Sequence, residues 1–201
     1  MFPSTTQEFV FGDQTIKLQL PVEAAVQEWY KTQDQETPFP FWARIWPSAK
    51  ALTAFLANNK QVYENKSVVE FGAGLGLPAF FTASAAASVL ITDHARDAME
   101  WFMQHHASLY QHVAQQHFDW ATNHAWPEAD CVLMSDVNYR DGDLKDLMRL
   151  IQHYASLQTT IILATPQRII ARDFVQHIAP YVQSTTIIEV DEHPISVYVL
   201  G

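Results

Sequence analysis

A single cysteine, Cys131, rules out an intrachain disulfide, because a bridge needs two thiols. Its place in an apolar run gives it the character of a buried, inert thiol. No stretch of 18 apolar residues exists, so nothing reads as a membrane-spanning helix. No basic region leading into an apolar run marks a signal peptide. Basic residues are scarce: 12 Lys and Arg stand against 22 Asp and Glu, a formal net charge of -10. Such a chain gains nothing from a polyphosphate backbone, which sets DNA and RNA aside as partners. The histidines lack metal-ligand spacing. His105-His106 and His112 have no cysteine nearby and no H-E-x-x-H pattern, so no metal is expected. There is no G-x-S-x-G elbow and no P-loop lysine. Glycine is rare too, and half of the 6 glycines fall between positions 72 and 76.

What is present describes one domain with a sizeable core, since 48% of the 201 residues are apolar. Phe9-Val10-Phe11 and Ile16-Lys17-Leu18-Gln19-Leu20 flank Gly12-Asp13, a hairpin pattern. A polar stretch ends in Pro38-Phe39-Pro40, and Pro47-Ser48 opens a helix with Ala51, Leu52, Phe55 and Leu56 on one side. We therefore expect an extension over 1–48 and a core over 49–201. In the core, strands are expected at 67–71, 88–92, 130–134 and 160–164. A helix over 95–115 would share a face between Ala98, Phe102, Leu109 and Val113. Another over about 143–156 would use Leu144, Leu147, Ile151 and Tyr154, and a third Ile170, Phe174 and Ile178. This alternation predicts an α/β fold with a mostly parallel sheet covered on both faces. Thr185–Val190 and Ile195–Leu200, joined by a short turn, predict an antiparallel pair at the end.

The glycines form Val69-Glu70-Phe71-Gly72-Ala73-Gly74-Leu75-Gly76, a strand entering a tight loop that lets backbone approach a ligand. A helix starting near Pro78 would aim free N–H groups at it. The spacing is G-x-G-x-G, not the G-x-G-x-x-G of a dinucleotide site, and Glu70 before the loop would repel a pyrophosphate but suit an ammonium group. Asp93 ends the next strand, where it can accept from ribose hydroxyls. An amino-acid nucleoside without phosphate, S-adenosylmethionine, fits this pair better than NAD. A plain tight turn is the competing account. Asp119-Trp120 is read as an adenine-side element in the short segment where the third strand would fit, or as a strand-end turn with a core tryptophan. Ser135-Asp136-Val137-Asn138-Tyr139 ends the strand at 130–134. Asp136 and Tyr139 there would present polar atoms beside a methyl group, or Asp136 would merely cap a turn. Phe39, Phe41, Trp42, Arg44 and Trp46 form a lid over the cofactor or an arm packed on the sheet, with Arg44 able to bind a carboxylate.

Together these segments resemble the class I, seven-strand S-adenosylmethionine-dependent methyltransferases. More narrowly they resemble the small protein lysine methyltransferases marked by an acidic residue, two variable residues and a tyrosine after the fourth strand, here Asp136-Val137-Asn138-Tyr139. Phe41–Ser48, Val69–Pro78 and Phe118-Asp119-Trp120 are similar to that family's first-helix approach, cofactor loop and adenine-side element. The resemblance implies a Rossmann-like sheet ordered 3-2-1-4-5-7-6 with strand 7 antiparallel. It implies cofactor contacts from Arg44, Trp46, Glu70, Gly72, Gly74, Gly76, Asp93, His94, Asp119, Trp120 and Ser135, with Asp136 and Tyr139 shaping the entrance for a substrate amine. The expected protein is a cytoplasmic, monomeric N-methyltransferase acting on lysine of a protein. A small-amine methyltransferase, a NAD-dependent oxidoreductase and a non-catalytic nucleoside-binding module are the alternatives.

Overall fold

The computed structural model describes residues 2–110, 112–123, 125–138, 144–167 and 171–201. The chain opens with the expected hairpin, β1 (Ser4–Phe11) and β2 (Gln14–Pro21). Gly12, at φ 61, supplies the positive φ of a two-residue hairpin turn. A helix not anticipated from the sequence follows, α1 (Glu23–Lys31), and then α2 (Pro47–Asn58), whose proline sits in the first turn where its missing N–H costs nothing.

Strands and helices then alternate: β3 (Ser67–Phe71), α3 (Leu77–Thr82), β4 (Ser88–Asp93), α4 (Arg96–His105), β5 (Val113–His117), β6 (Cys131–Ser135), α5 (Leu144–Ser156), β7 (Thr160–Pro166), α6 (Ala171–Ile178), β8 (Val182–Val190) and β9 (His193–Leu200). The large sheet runs β5-β4-β3-β6-β7-β9-β8. Its first five strands pair in parallel, and β9 runs antiparallel to both neighbours. Counting from β3, this is the expected order 3-2-1-4-5-7-6.

The two faces of the sheet follow from the strand period of two. Val68, Leu133, Ile162 and Ala164 face a core shared with α2, α3, α4 and the hairpin residues Phe9, Ile16, Leu18 and Leu20. Val69, Phe71, Val132, Met134, Ile161 and Leu163 face α5 and α6 through Leu147, Ile151, Tyr154, Phe174 and Ile178. Ile170, expected beside Phe174, lies outside the described residues. Among the described residues no helix is long and apolar enough to cross a membrane.

One helix is shorter than its periodicity predicts. The N–H groups of His106 and Ala107 both donate to the Phe102 carbonyl, which closes α4. Leu109 is 62% exposed, so its helical spacing was coincidental. Val113 opens β5 opposite Val89. The third core strand therefore precedes Asp119-Trp120 instead of containing it. Beyond the helix, His106 Nε2 accepts the Gln19 N–H at 3.0 Å and Trp101 Nε1 donates to the Gln19 carbonyl at 2.9 Å, which ties the hairpin to α4. Burial, and secondarily the charge of His105, push His106 down to about 4, so its ring is the neutral form that can accept.

Candidate functional site

From β3 the chain order proceeds outward to β4 and β5, then returns to β6 on the other side of β3. Such a reversal leaves a crevice at the carboxyl ends of the strands. Here it opens into a cavity of about 700 Å³. The glycine loop forms its floor. Gly72, Gly74 and Gly76 take φ 62, 54 and 71, and the loop is pinned to β4 by Ala73 N–H donating to the Thr92 carbonyl at 3.0 Å. The approach at Gly74 is close: a Cβ there would stand 3.2 Å from the Trp42 carbonyl oxygen. The short helical turn Phe41–Ala43 thus lies directly over the loop.

Asp93, at the end of β4, is 4% exposed and lines the cavity. Its Oδ2 accepts the Gly74 N–H and its Oδ1 the Ala95 N–H, both at 2.8 Å. A carboxylate offers about four lone-pair sites, so these two bonds orient it and leave acceptor capacity for a diol. His94 Nδ1 lies 3.5 Å from Oδ1. Asp119 Oδ1 accepts the Ala121 N–H at 2.9 Å, and Asp119 and Trp120 line the same cavity. The Trp120 ring lies beside Gly72, where a Cβ would meet its Cη2 at 3.4 Å.

Glu70 departs from its expected position. It is fully buried beneath the loop and does not line the cavity. Its Oε2 accepts the Ala79 N–H at 2.9 Å, so the carboxyl caps the first turn of α3, whose N–H groups have no partner within the helix. Its Oε1 is buried with no hydrogen-bond partner among the described residues. Burial pushes this carboxyl up to about 8, against the lowering effect of the Ala79 bond and with a contribution from nearby Asp93. Gly76, the N-cap of α3, also lies away from the cavity wall.

Across the crevice, Ser135 ends β6, and Asp136 and Val137 follow it into the wall. Tyr139, expected beside Asp136, lies outside the described residues. The remaining wall is aromatic. Phe39, Phe41 and Trp46 line it, with Phe39–Phe41 and Phe41–Trp46 ring centroids 5.2 and 6.0 Å apart. Trp46 Nε1 donates to the Phe41 carbonyl at 2.8 Å. Arg44 stacks 4.5 Å over the Trp46 ring and lies 3.9 Å from Glu23, so its charge is engaged at the rim. Trp29 of α1, and Arg96 and Asp97 of α4, line the cavity without having been anticipated. Asp97 stands four residues after Asp93, a spacing that was readable. Trp29 followed from a helix that was not. Among the described residues of the wall, Asp93, Asp97, Asp119 and Asp136 outnumber Arg44 and Arg96, which suits a cationic guest. No cluster of metal-ligating side chains occurs among the described residues.

These features fit S-adenosylmethionine: a cradle that a Cβ would obstruct, an oriented carboxylate for a diol, an indole for a base and an acidic wall for a sulfonium and an ammonium. Glu70 would act beneath the loop, not by facing the amino-acid end.

Comparison with known proteins bears on the same elements. Residues 32–180 match a family model described as lysine methyltransferase. The chain is 29% identical over 134 residues to the Xenopus tropicalis protein N-lysine methyltransferase METTL21A, covering 63% of this chain and 61% of that protein. It is 37% identical over 62 residues to a Caenorhabditis elegans electron transfer flavoprotein beta subunit lysine methyltransferase homolog, covering 30% of this chain and 23% of that protein. The chain thus matches about 60% or less of these relatives' lengths. Its fold is shared with the Pyrococcus abyssi tRNA (uracil-54, C5)-methyltransferase solved with S-adenosyl-L-homocysteine, at TM-score 0.62 and 11% identity over 98% of this chain and 44% of that one.

Proposed function

Because this chain belongs to the lysine methyltransferase family, within the class I S-adenosylmethionine-dependent methyltransferases, we propose that it transfers a methyl group to an amine, and specifically to a lysine side chain of a protein. The observation that carries this reading is that one cavity joins the Gly72–Gly74 loop and Asp93 to Asp136 and an aromatic wall. One end has the chemistry to hold a nucleoside, and the other to receive an alkylamine.

Gly72, Gly74, Asp93, Asp119 and Trp120 would hold S-adenosylmethionine, with His94, Ser135, Arg44 and Trp46 around it. When bound, it supplies a methyl already activated on a sulfonium, so no covalent enzyme nucleophile is needed. The residues of this chain then have an alignment task. A lysine amine, with a reference pKa of about 10.4, must first shed its proton. With a substrate segment seated on it, the wall of Trp29, Phe39, Phe41 and Trp46 would exclude water and lower that pKa by desolvation. Asp136 acts the opposite way, because its charge favours the ammonium. Its role is capture and orientation of the amine at the mouth, with Tyr139 aiding the orientation. The acidic wall favours a lysine in a basic segment, as does the net charge of -10. We further propose a cytoplasmic monomer.

The test is calorimetry with S-adenosylmethionine and S-adenosylhomocysteine, followed by incubation of the tritiated donor with a host lysate and peptide mapping. Binding plus label on lysine of a protein is expected. The absence of heat at millimolar ligand would defeat the reading. Label confined to small molecules would move the acceptor to a free amine.

A further inference from the structure

Asp136 is the cavity carboxylate with the least natural backbone. It sits at φ 54, in the left-handed region that is uncommon for residues other than glycine, though Asp and Asn enter it more readily than most. Such a conformation persists where the surroundings over-determine it. Among the described residues, three restraints act on the turn of residues 136–138. The Asp136 N–H donates to the Ala164 carbonyl at 2.9 Å, one step beyond the Ser135–Ala164 pair of β6 and β7. Val137 is buried against the glycine loop, with its Cγ1 2.8 Å from where a Cβ on Gly72 would stand. Finally, Thr165 Oγ1 donates to Asn138 Oδ1 at 2.8 Å.

The third restraint differs in kind. It is a bond between two side chains, neither of which lines the cavity. Thr165 is 2% exposed in β7 and pairs with Ser196 of β9, whose hydroxyl accepts from Gln167 Nε2 at 3.2 Å. The bond therefore fastens the turn to the interior of the sheet, where hydrogen bonds are rigid and their loss leaves a buried polar group unsatisfied.

We propose that Thr165 is a positioning residue for the methyl-transfer step, holding through Asn138 the turn that keeps Asp136 in the cavity wall. This rests on the function proposed above, with Asp136 at the acceptor amine. Without the bond the other two restraints remain, but the turn is held less firmly and Asp136 spends less time in its place. The donor end has bonds of its own, from Gly74 N–H to Asp93 and from Ala73 N–H to Thr92, and so depends on it less than the acceptor end does.

The test uses the full chain with tritiated S-adenosylmethionine and the soluble proteins of a host lysate as acceptors, alongside calorimetry with S-adenosylhomocysteine. Thr165→Val removes the hydroxyl at nearly constant shape and should slow transfer about tenfold, the scale of one lost buried hydrogen bond, with S-adenosylhomocysteine affinity within about twofold of the unmodified protein. Thr165→Ser keeps the hydroxyl and should restore transfer. Asn138→Ala should slow transfer as Thr165→Val does, and the double variant should be no slower than the slower single one, because both remove the same bond. If Thr165→Val does not fold, Asn138→Ala and Thr165→Ser read the bond from its two ends. Transfer at the unmodified rate in Asn138→Ala, slow transfer in Thr165→Ser, losses that multiply, or losses that track S-adenosylhomocysteine affinity would each overturn the proposal. An unmodified protein that binds S-adenosylhomocysteine yet labels nothing would overturn the methyl-transfer reading itself, and this inference with it.

Discussion

The loop after β3 and the turn after β6 leave the same edge of the sheet side by side, and both hold backbone in the left-handed region. They do so with opposite residues. At Gly72 and Gly74 the missing side chain is the useful property, since a Cβ would meet Val137 at 2.8 Å or the Trp42 carbonyl at 3.2 Å. At Asp136 the side chain is the useful property, and the neighbouring strand restrains the unfavourable φ that presents it. On the proposed reading, one segment brings backbone to a ligand at little conformational cost. The other brings a charge and is held in place. The two should therefore fail differently.

The sharpest way to break this comparison is Gly74→Arg. Any side chain there is strained and meets the Trp42 backbone, so S-adenosylhomocysteine affinity should fall more than ~100-fold by calorimetry. Retained affinity would mean that the loop does not carry the ligand. Asp136→Ala should lower methyl transfer on the order of 100-fold while leaving S-adenosylhomocysteine affinity within about threefold. Equal loss of both would erase the division between the two segments.

The acid beneath the loop gives a pH signature. Glu70 binds its proton more tightly folded than unfolded, with a folded value of about 8 against 4.5. Its contribution to stability is complete below about 4.5 and is lost as pH rises toward 8. His106 behaves oppositely: its folded value of about 4 lies below 6.5, so its contribution is lost as pH falls through that interval. Above pH 6.5 the His106 contribution is flat. Thermal unfolding of the ligand-free protein between pH 6.5 and 8 should therefore show Tm falling, and Glu70→Gln should remove that fall. An unchanged slope in the variant would assign the effect to another group. The smallest effect expected is from Asp136→Gly, which should raise stability by up to about 1 kcal/mol by relieving the left-handed residue, while transfer is lost as in Asp136→Ala. A lower Tm would show that Asp136 carries no net strain.

Much of the scaffold was readable because β3, β4, β6 and β7 are mainly apolar, as strands covered on both faces tend to be. The terminal hairpin was readable from its short turn. Two elements misled. Leu109 and Val113 continue the helical spacing of α4 by chance, and only the bonds of His106 and Ala107 to Phe102 end it. The helix α1 has Val26 as its one fully buried residue, too weak a periodic signal to mark it, and so Trp29 could not be assigned to the cavity. Among the candidate residues, the tertiary structure brings Arg44, Trp46, Gly72, Gly74, Asp93, His94, Asp119, Trp120, Ser135 and Asp136 around one cavity, and sets Glu70 and Gly76 beneath it.

The order of apolar runs and turns determined the layered sheet, because burying alternate strand faces and covering them with helices admits few arrangements. The run of three glycines and Asp93 at the end of the next strand marked the edge of the sheet at which the cavity opens. What the linear chain left open was the direction of individual groups: Glu70 turning down to cap α3 and Asp136 held left-handed by β7. Those outcomes depend on contacts between residues far apart in sequence. A carboxylate's partner and its proton affinity are set by what surrounds it after folding, and residue type alone does not specify that.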